Sequence, residues 1–378
     1  MTAPSPLLDL DDAASVAAAD TEGAMRAAAL GGAQVRSVAA AVSEGALDRI
    51  RGLRPRSVVL VTTGGRAGRA AALLQAALGA RLGLPIVHAS AVPPWLGSLD
   101  VVVVAGEDAG DPRLVAAADS TLRRGAELVV VAPAEGPLQA AAAGRGSLLP
   151  PRLPVPDRHG FLRYVAAGLA VLSVLESGRS AGLPADLSTL ADVLDAEAAR
   201  NSPSAEVFHN PAKTLAVRMQ GRRVLLVGDD AATSVLADHG ADMMLRTAGV
   251  IAGAAGLADV LASAALLSAA ADAPPGYDPI FHDEELDGPA PVAPARVFVL
   301  ATTESRGYTG RRMAALADAE LITTAEEVDE MGTGDREMTG RAAEGPAQGG
   351  GNTEVEQLAV MAVRLEMAAV YLRLIGGR

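Results

Sequence analysis

Three carboxylates, Glu107, Asp108 and Asp111, crowd one short loop, Gly106-Glu-Asp-Ala-Gly-Asp-Pro112. The loop follows four consecutive valines, Val101 to Val104, which read as a strand buried on both faces. Asp111 and Pro112 then read as an N-cap and a proline at the first helical position, with Leu114, Val115 and Ala118 continuing at helical spacing. A strand that passes through a glycine loop into a helix is where α/β proteins hold ligands, because free N–H groups and the helix N-terminus favour an anion. A carboxylate near a phosphate costs about 1–4 kcal/mol, whereas an exposed helix N-terminus returns only about 0.3–1 kcal/mol. On sequence alone, then, this loop repels phosphate. Clustered carboxylates also suit a hard cation, but nothing else in the chain supports a metal site, and a solvated acidic loop is the default.

Composition removes several chemistries. The chain of 378 residues is long enough for two domains, and 50% of it is hydrophobic while only 2% is aromatic, so alanine and valine fill the core. No cysteine is present, which excludes disulfides, thiolate nucleophiles and thiolate metal ligands. The net charge of −13, with Lys213 as the sole lysine, argues against binding nucleic acid through charge and fits a cytoplasmic protein. The first residues lack a signal peptide's basic region and apolar core, and the longest apolar run, Val165 to Leu175, is too short to span a bilayer. Neither a Gly-x-Ser-x-Gly nor a Walker pattern occurs. The segment Thr63-Gly-Gly-Arg-Ala-Gly68 lacks the dinucleotide-binding spacing, so no cofactor is expected.

The elements around these residues alternate strand and helix. Asp11 to Glu44 reads as a pair of helices separated near Gly31–Gly32. Ser57 to Thr62 reads as a strand that leads through Thr63-Gly64-Gly65 into a helix ending at Leu78. Leu84 to His88, Val101 to Val104 and Leu128 to Val131 continue the strands, and Phe161 to Leu175 is a buried helix. The second half repeats the pattern, with strands at Arg223–Val227 and Arg296–Thr302 and a long small-residue helix over Gly249–Ala271. A last long helix spans Glu354–Leu374. Such alternation implies an α/β fold of two doubly wound, flavodoxin-like parallel sheets with flanking helices. The expected divisions are an N-terminal helical segment (1–45), a first domain (46–180), a helical connection (181–210) and a second domain (211–378). Met331 to Asn352, polar and glycine-rich, reads as a mobile loop.

The doubled layout resembles the sugar isomerase (SIS) proteins, and more closely the bifunctional phosphoglucose/phosphomannose isomerases and a divergent actinobacterial group labelled TobH-like. Four stretches carry the likeness. Thr62 to Gly68 stands where that family has its Gly-Gly-Ser-Gly turn, and Leu84 to His88 with Pro93 to Leu96 is similar to the stretch before its second strand. Gly106 to Pro112 takes the place of its phosphate loop. Asn210-Pro-Ala-Lys213-Thr-Leu-Ala216 matches an Asn-Pro-Ala-Lys-x-Leu-Ala segment. The resemblance implies a phosphosugar ligand, a homodimer, and ligand contacts from Thr62, Thr63, Gly64, Gly65, Arg66, Gly106, Glu107, Asp108, Asp111, Asn210 and Lys213.

The departures from the family concern its chemistry. Gly106, Asp108 and Asp111 fall on the family's hydroxyl positions, so no hydroxyl remains in that loop; Thr62, Thr63, the first-loop amides and Arg66 could still meet an anion. The family's catalytic glutamate lies where this chain reads Thr247 to Gly256, without a carboxylate, and its ring-opening histidine has no counterpart. Aldose–ketose isomerisation needs a positioned base, and losing one removes roughly 10²–10⁴-fold in rate. Glu206, His209, Asp229, Asp230 and His239 are candidate replacements. Each also has a plain structural reading as a cap, a solvated loop residue or, for His239, a helix C-terminal residue on the dipole. The expectation is a carbohydrate-derivative-binding protein whose isomerase chemistry is degraded or absent. The alternative is an active glucose-6-phosphate/mannose-6-phosphate isomerase using replacement residues.

Overall fold

The computed structural model describes residues 8–175, 186–269, 282–288, 295–316, 318–324 and 353–376. Three helices come first: α1 (Ala13–Ala19), α2 (Ala24–Ala28) and α3 (Gly31–Ser43). The first sheet follows as β1 (Ser57–Thr62), α4 (Gly65–Leu78), β2 (Ile86–Ala89), β3 (Asp100–Ala105), α5 (Pro112–Arg123), β4 (Glu127–Val131), α6 (Gly136–Ala142) and β5 (Ser147–Leu148). Helices α7 (Phe161–Leu175), α8 (Leu187–Arg200) and α9 (Pro211–Met219) lead to the second sheet. That sheet contains β6 (Arg223–Gly228), α10 (Ala231–Met243), β7 (Ala252–Gly256), α11 (Leu257–Ala262), α12 (Ala264–Ala269), α13 (Glu284–Asp287), β8 (Ala295–Leu300), α14 (Arg306–Met313) and β9 (Ala319–Ile322). Helix α15 (Glu354–Ile375) closes the chain.

Both sheets are wholly parallel, one of five strands ordered β2-β1-β3-β4-β5 and one of four ordered β7-β6-β8-β9. The α/β, doubly wound expectation holds. Residue alternation explains the layers, since successive side chains of a strand point to opposite faces. Val58, Leu60, Val101 and Val103 face the main core, and Val59, Val61, Val102 and Val104 face a second core under α5 and α6. In the other sheet Leu226, Phe298 and Leu300 join the same main core. Helix α15 runs through that shared core, buried along nearly its whole length, which accounts for apolar residues on every face. Two of its buried charges are tied to distant elements. Arg364 donates to Glu197 (2.7 Å) and to the Thr323 carbonyl (2.8 Å), and Glu366 accepts from His159 (2.8 Å) and His239 (3.2 Å). Among the described residues, no helix is long and apolar enough to cross a membrane.

Several expectations are corrected. Gly249–Ala271 is not one long helix: Ala252–Gly256 pairs with Val224–Gly228 as edge strand β7, and two short helices follow. Parallel pairing with β6 overrides the poor strand propensity of Ala and Gly. The N-terminal stretch holds three helices where two are expected; the break expected near Gly31–Gly32 falls at residues 29–30, and both glycines open α3, where a Cβ on Gly32 would lie 2.6 Å from the Ala191 carbonyl of α8. Strand β9 and the two-residue β5 are not expected from sequence. Residues 282–288 carry the short helix α13, and the expected mobile loop 331–352 lies outside the described residues.

Candidate functional site

In the first sheet the chain order reverses between β1 and β3, and the crevice at the carboxyl ends of those strands is where such sheets bind ligands. Two loops border it. The first, Thr63–Gly64, needs glycine: Gly64 has φ 101° and Gly65 φ 62°, in the left-handed region that other residues rarely adopt. The second, Gly106 to Asp111, ends in Asp111, whose carboxylate caps α5 by accepting from the Arg113 N–H at 2.9 Å.

On the β2 side lies an open groove of about 550 Å³, lined by Thr62, Thr63, Gly64, His88, Ala89, Ser90 and Arg113. Thr62 Oγ1 and His88 Nε2 form a hydrogen bond of 2.9 Å, and burial pushes the His88 pKa down, leaving a neutral ring at neutral pH. Arg113 donates to Asp111 at 3.1 and 2.8 Å. The Arg113 guanidinium, helped by the Arg113 N–H and the Thr63 hydroxyl, holds the Asp111 carboxyl down at about 2. The groove therefore presents hydroxyls, an imidazole and a guanidinium. Among the described residues no carboxylate lines it, and that of Asp111 holds Arg113 and the Thr63 hydroxyl from the loop beside it.

Each acidic residue of the loop has a hydrogen-bond partner. Glu107 turns back to α4, where Arg66 Nε donates to its Oε1 at 2.7 Å and Arg66 Nη2 to its Oε2. Arg66 is only 4% exposed. Arg66, Arg69 (3.2 Å) and Arg246 (2.9 Å) also surround Asp242 of α10, linking this loop to the second sheet's helices. Asp108 is exposed and accepts from the Gly110 N–H at 2.7 Å, closing a tight turn. Beyond Glu107 a cavity of about 110 Å³ is bordered by Gln34, Asp157, Arg163 and Tyr164. The Tyr164 hydroxyl there is buried without a hydrogen-bond partner, and burial pushes its pKa up to about 12. Among the described residues no group of three or more His, Asp or Glu side chains is arranged to hold a metal ion.

The residues singled out from sequence divide accordingly. Thr62, Thr63 and Gly64 line the groove, while Gly65 and Arg66 open α4 and Gly106, Glu107, Asp108 and Asp111 belong to the second loop beside it. Asn210 and Lys213 lie elsewhere. Asn210 caps α9 by accepting from the Lys213 N–H at 2.9 Å, and the fully buried Lys213 ammonium donates to the carbonyls of Leu10 (2.5 Å), Pro203 (2.8 Å) and Ala205 (2.7 Å). Of the candidate replacement bases, Asp229 is tied to Thr309 (2.9 Å) and Arg312, and Asp230 caps α10. Glu206 and His209 are exposed, 4.0 Å apart. His239 is not at a helix end but buried within α10, stacked on Phe161 at 4.1 Å and bonded to Glu366. None of them lines the groove. Sequence reasoning misses His88, Ser90 and Arg113 as site residues. The usable signal is position: the end of a strand beside the glycine loop, and the first turn of the helix opposite.

The fold is shared with solved structures. Tagatose-6-phosphate ketose/aldose isomerase from Escherichia coli superposes with a TM-score of 0.60 at 15% identity, over 95% of this chain and 93% of that one. The C-terminal domain of glucosamine-fructose-6-phosphate aminotransferase from Francisella tularensis gives 0.56 at 8% identity, over 94% and 96%. A hypothetical protein from Thermus thermophilus gives 0.60 at 14% identity, over 97% and 89%. No family model matches the sequence, and neither does any curated protein. Identities this low establish a common architecture, two parallel sheets on shared helices, and nothing of chemistry.

Proposed function

We propose that this protein binds a phosphorylated sugar, or a related carbohydrate anion, in the groove between β1, β2 and α5, and does not isomerise it. One observation carries the proposal: Thr63, Ser90, His88 and Arg113 converge on a single open groove, with no carboxylate among its described lining residues. Hydroxyls and a guanidinium are the donors a phosphate takes, and the groove is large enough for a hexose beside it. The fold shared with a tagatose-6-phosphate isomerase and the sequence resemblance to phosphoglucose/phosphomannose isomerases both support this ligand class. Loss of chemistry is supported by the segment Thr247 to Gly256, which has no carboxylate and spans the end of a π-helical turn (Met244–Ala248) and edge strand β7.

The second reading, an active isomerase, is favoured by His88, a neutral imidazole facing the groove and thus a candidate base. Moving a proton between C1 and C2 and opening the ring asks for a base and an acid, and His88 is the one titratable group in the lining suited to either role near neutral pH. Calorimetric titration with glucose 6-phosphate tests the binding. The parent protein should bind saturably, and Arg113→Ala should weaken it about tenfold or more, since a hydrogen bond to a charged group is worth about 1.5–3 kcal/mol. Equal affinity in the two proteins would refute the groove as the ligand site.

A further inference from the structure

We propose that Glu107 is the protein's own occupant of the anion seat between β1 and β3, and that it confines a ligand's charged group to the β2 side of the crevice. The inference rests on the groove assigned above and adds the residue that selects where the anion sits. Three observations carry it. The carboxylate of Glu107 lies at the N-terminus of α4, a helix of 14 residues, with its Oε1 at 3.4 Å from the Arg66 backbone nitrogen and 3.2 Å from where a Cβ on Gly65 would stand. Arg66, 4% exposed, spends Nε and Nη2 on that carboxylate, and its buried Nη1 has no hydrogen-bond partner. A second carboxylate, Asp242, is 3.9 Å from Nη1 and is already shared with Arg69 and Arg246.

A buried guanidinium beside a glycine turn and a helix N-terminus is a donor set for an external oxyanion. Here an internal carboxylate fills it. A phosphate entering the same crevice would have to displace a bidentate partner and then lie beside its charge. On the other side of the loop Asp111 is taken by Arg113 and by α5, and the Arg113 side chain is 67% exposed, so its free edge is available to a ligand. Glu107 thus sets the position of the anion without touching the sugar.

Inorganic phosphate is the probe, titrated by calorimetry into the parent, Glu107→Gln and Glu107→Ser proteins, each first shown to unfold cooperatively on heating. Gln keeps the shape and removes the charge; Ser also empties the seat. Both should bind phosphate about tenfold or more tighter than the parent, because a repelling charge near 4 Å is gone. The gain should persist when Arg113→Ala is added to Glu107→Ser, since the vacated seat lies at Arg66. No gain in either folded variant would overturn the proposal, and so would a gain that disappears with Arg113→Ala. Failure of the groove assignment reads out separately, as glucose 6-phosphate affinity in the parent background unaffected by Arg113→Ala.

Discussion

Lys213 and Glu107 show how a residue's type can be legible while its partner is not. Lys213 stands in the segment most similar to a known family and is the sole lysine, which makes it a ligand candidate from sequence. Three backbone carbonyls, two of them from a loop just upstream and one from Leu10, consume its ammonium instead, and burial pushes its pKa down. The Leu10 carbonyl, at a sequence separation of 203, leaves no local trace. Lys213→Met should therefore destabilise the fold by about 3 kcal/mol, several acceptors being left unpaired at about 1–3 kcal/mol each, while glucose 6-phosphate affinity stays at the parent value. Urea unfolding and calorimetry check the two halves; a loss of binding with unchanged stability would return Lys213 to the site. Glu107 is legible as acidic but not as partnered, because Arg66 sits 41 positions earlier and meets it only through β1–β3 pairing.

The elements legible in the sequence are those whose composition and tertiary setting agree. Val101 to Val104 is a strand by propensity and is buried on both faces, and Asp111-Pro112 caps a helix in sequence and in space. Ala252–Gly256 carries no β-branched residue, and only its pairing with β6 makes it a strand. Helix α15 is legible as long and apolar, but the partners of its buried Glu366 are not, since His159 and His239 come from distant elements. Burial pushes the Glu366 carboxyl up, yet hydrogen bonds and charge from the two histidines outweigh it and leave its pKa below the ordinary value. A depressed carboxylate pKa contributes stability that is present above the unfolded value, about 4.3, and is lost as pH falls through the lower folded value. Glu366→Gln should accordingly be less stable than the parent at pH 7, with the difference shrinking as the pH is lowered below about 4. Urea midpoints at both ends of that range measure it; a difference that grows on acidification would show that Glu366 is held neutral.

Taken whole, the molecule is two parallel sheets sharing one core around α15, an architecture that strand–helix alternation makes legible and that solved phosphosugar-related structures share. Its groove lies at the carboxyl edge of one sheet, where the topology concentrates strand ends and helix starts. The proposed reading, binding without isomerisation, rests on that placement. The donors proposed to hold an anion are local to β1, β2 and α5, whereas isomerisation asks for both a base and an acid, and His88 is the one lining group suited to either role. Proton NMR of glucose 6-phosphate incubated with the protein in deuterium oxide tests this most directly, since aldose–ketose isomerisation exchanges the hydrogen at C2 while binding does not. The expected result is broadening of the sugar resonances with added protein and a C2 proton that keeps its full intensity. Deuterium appearing at C2, or fructose 6-phosphate accumulating, in proportion to the protein present would contradict it.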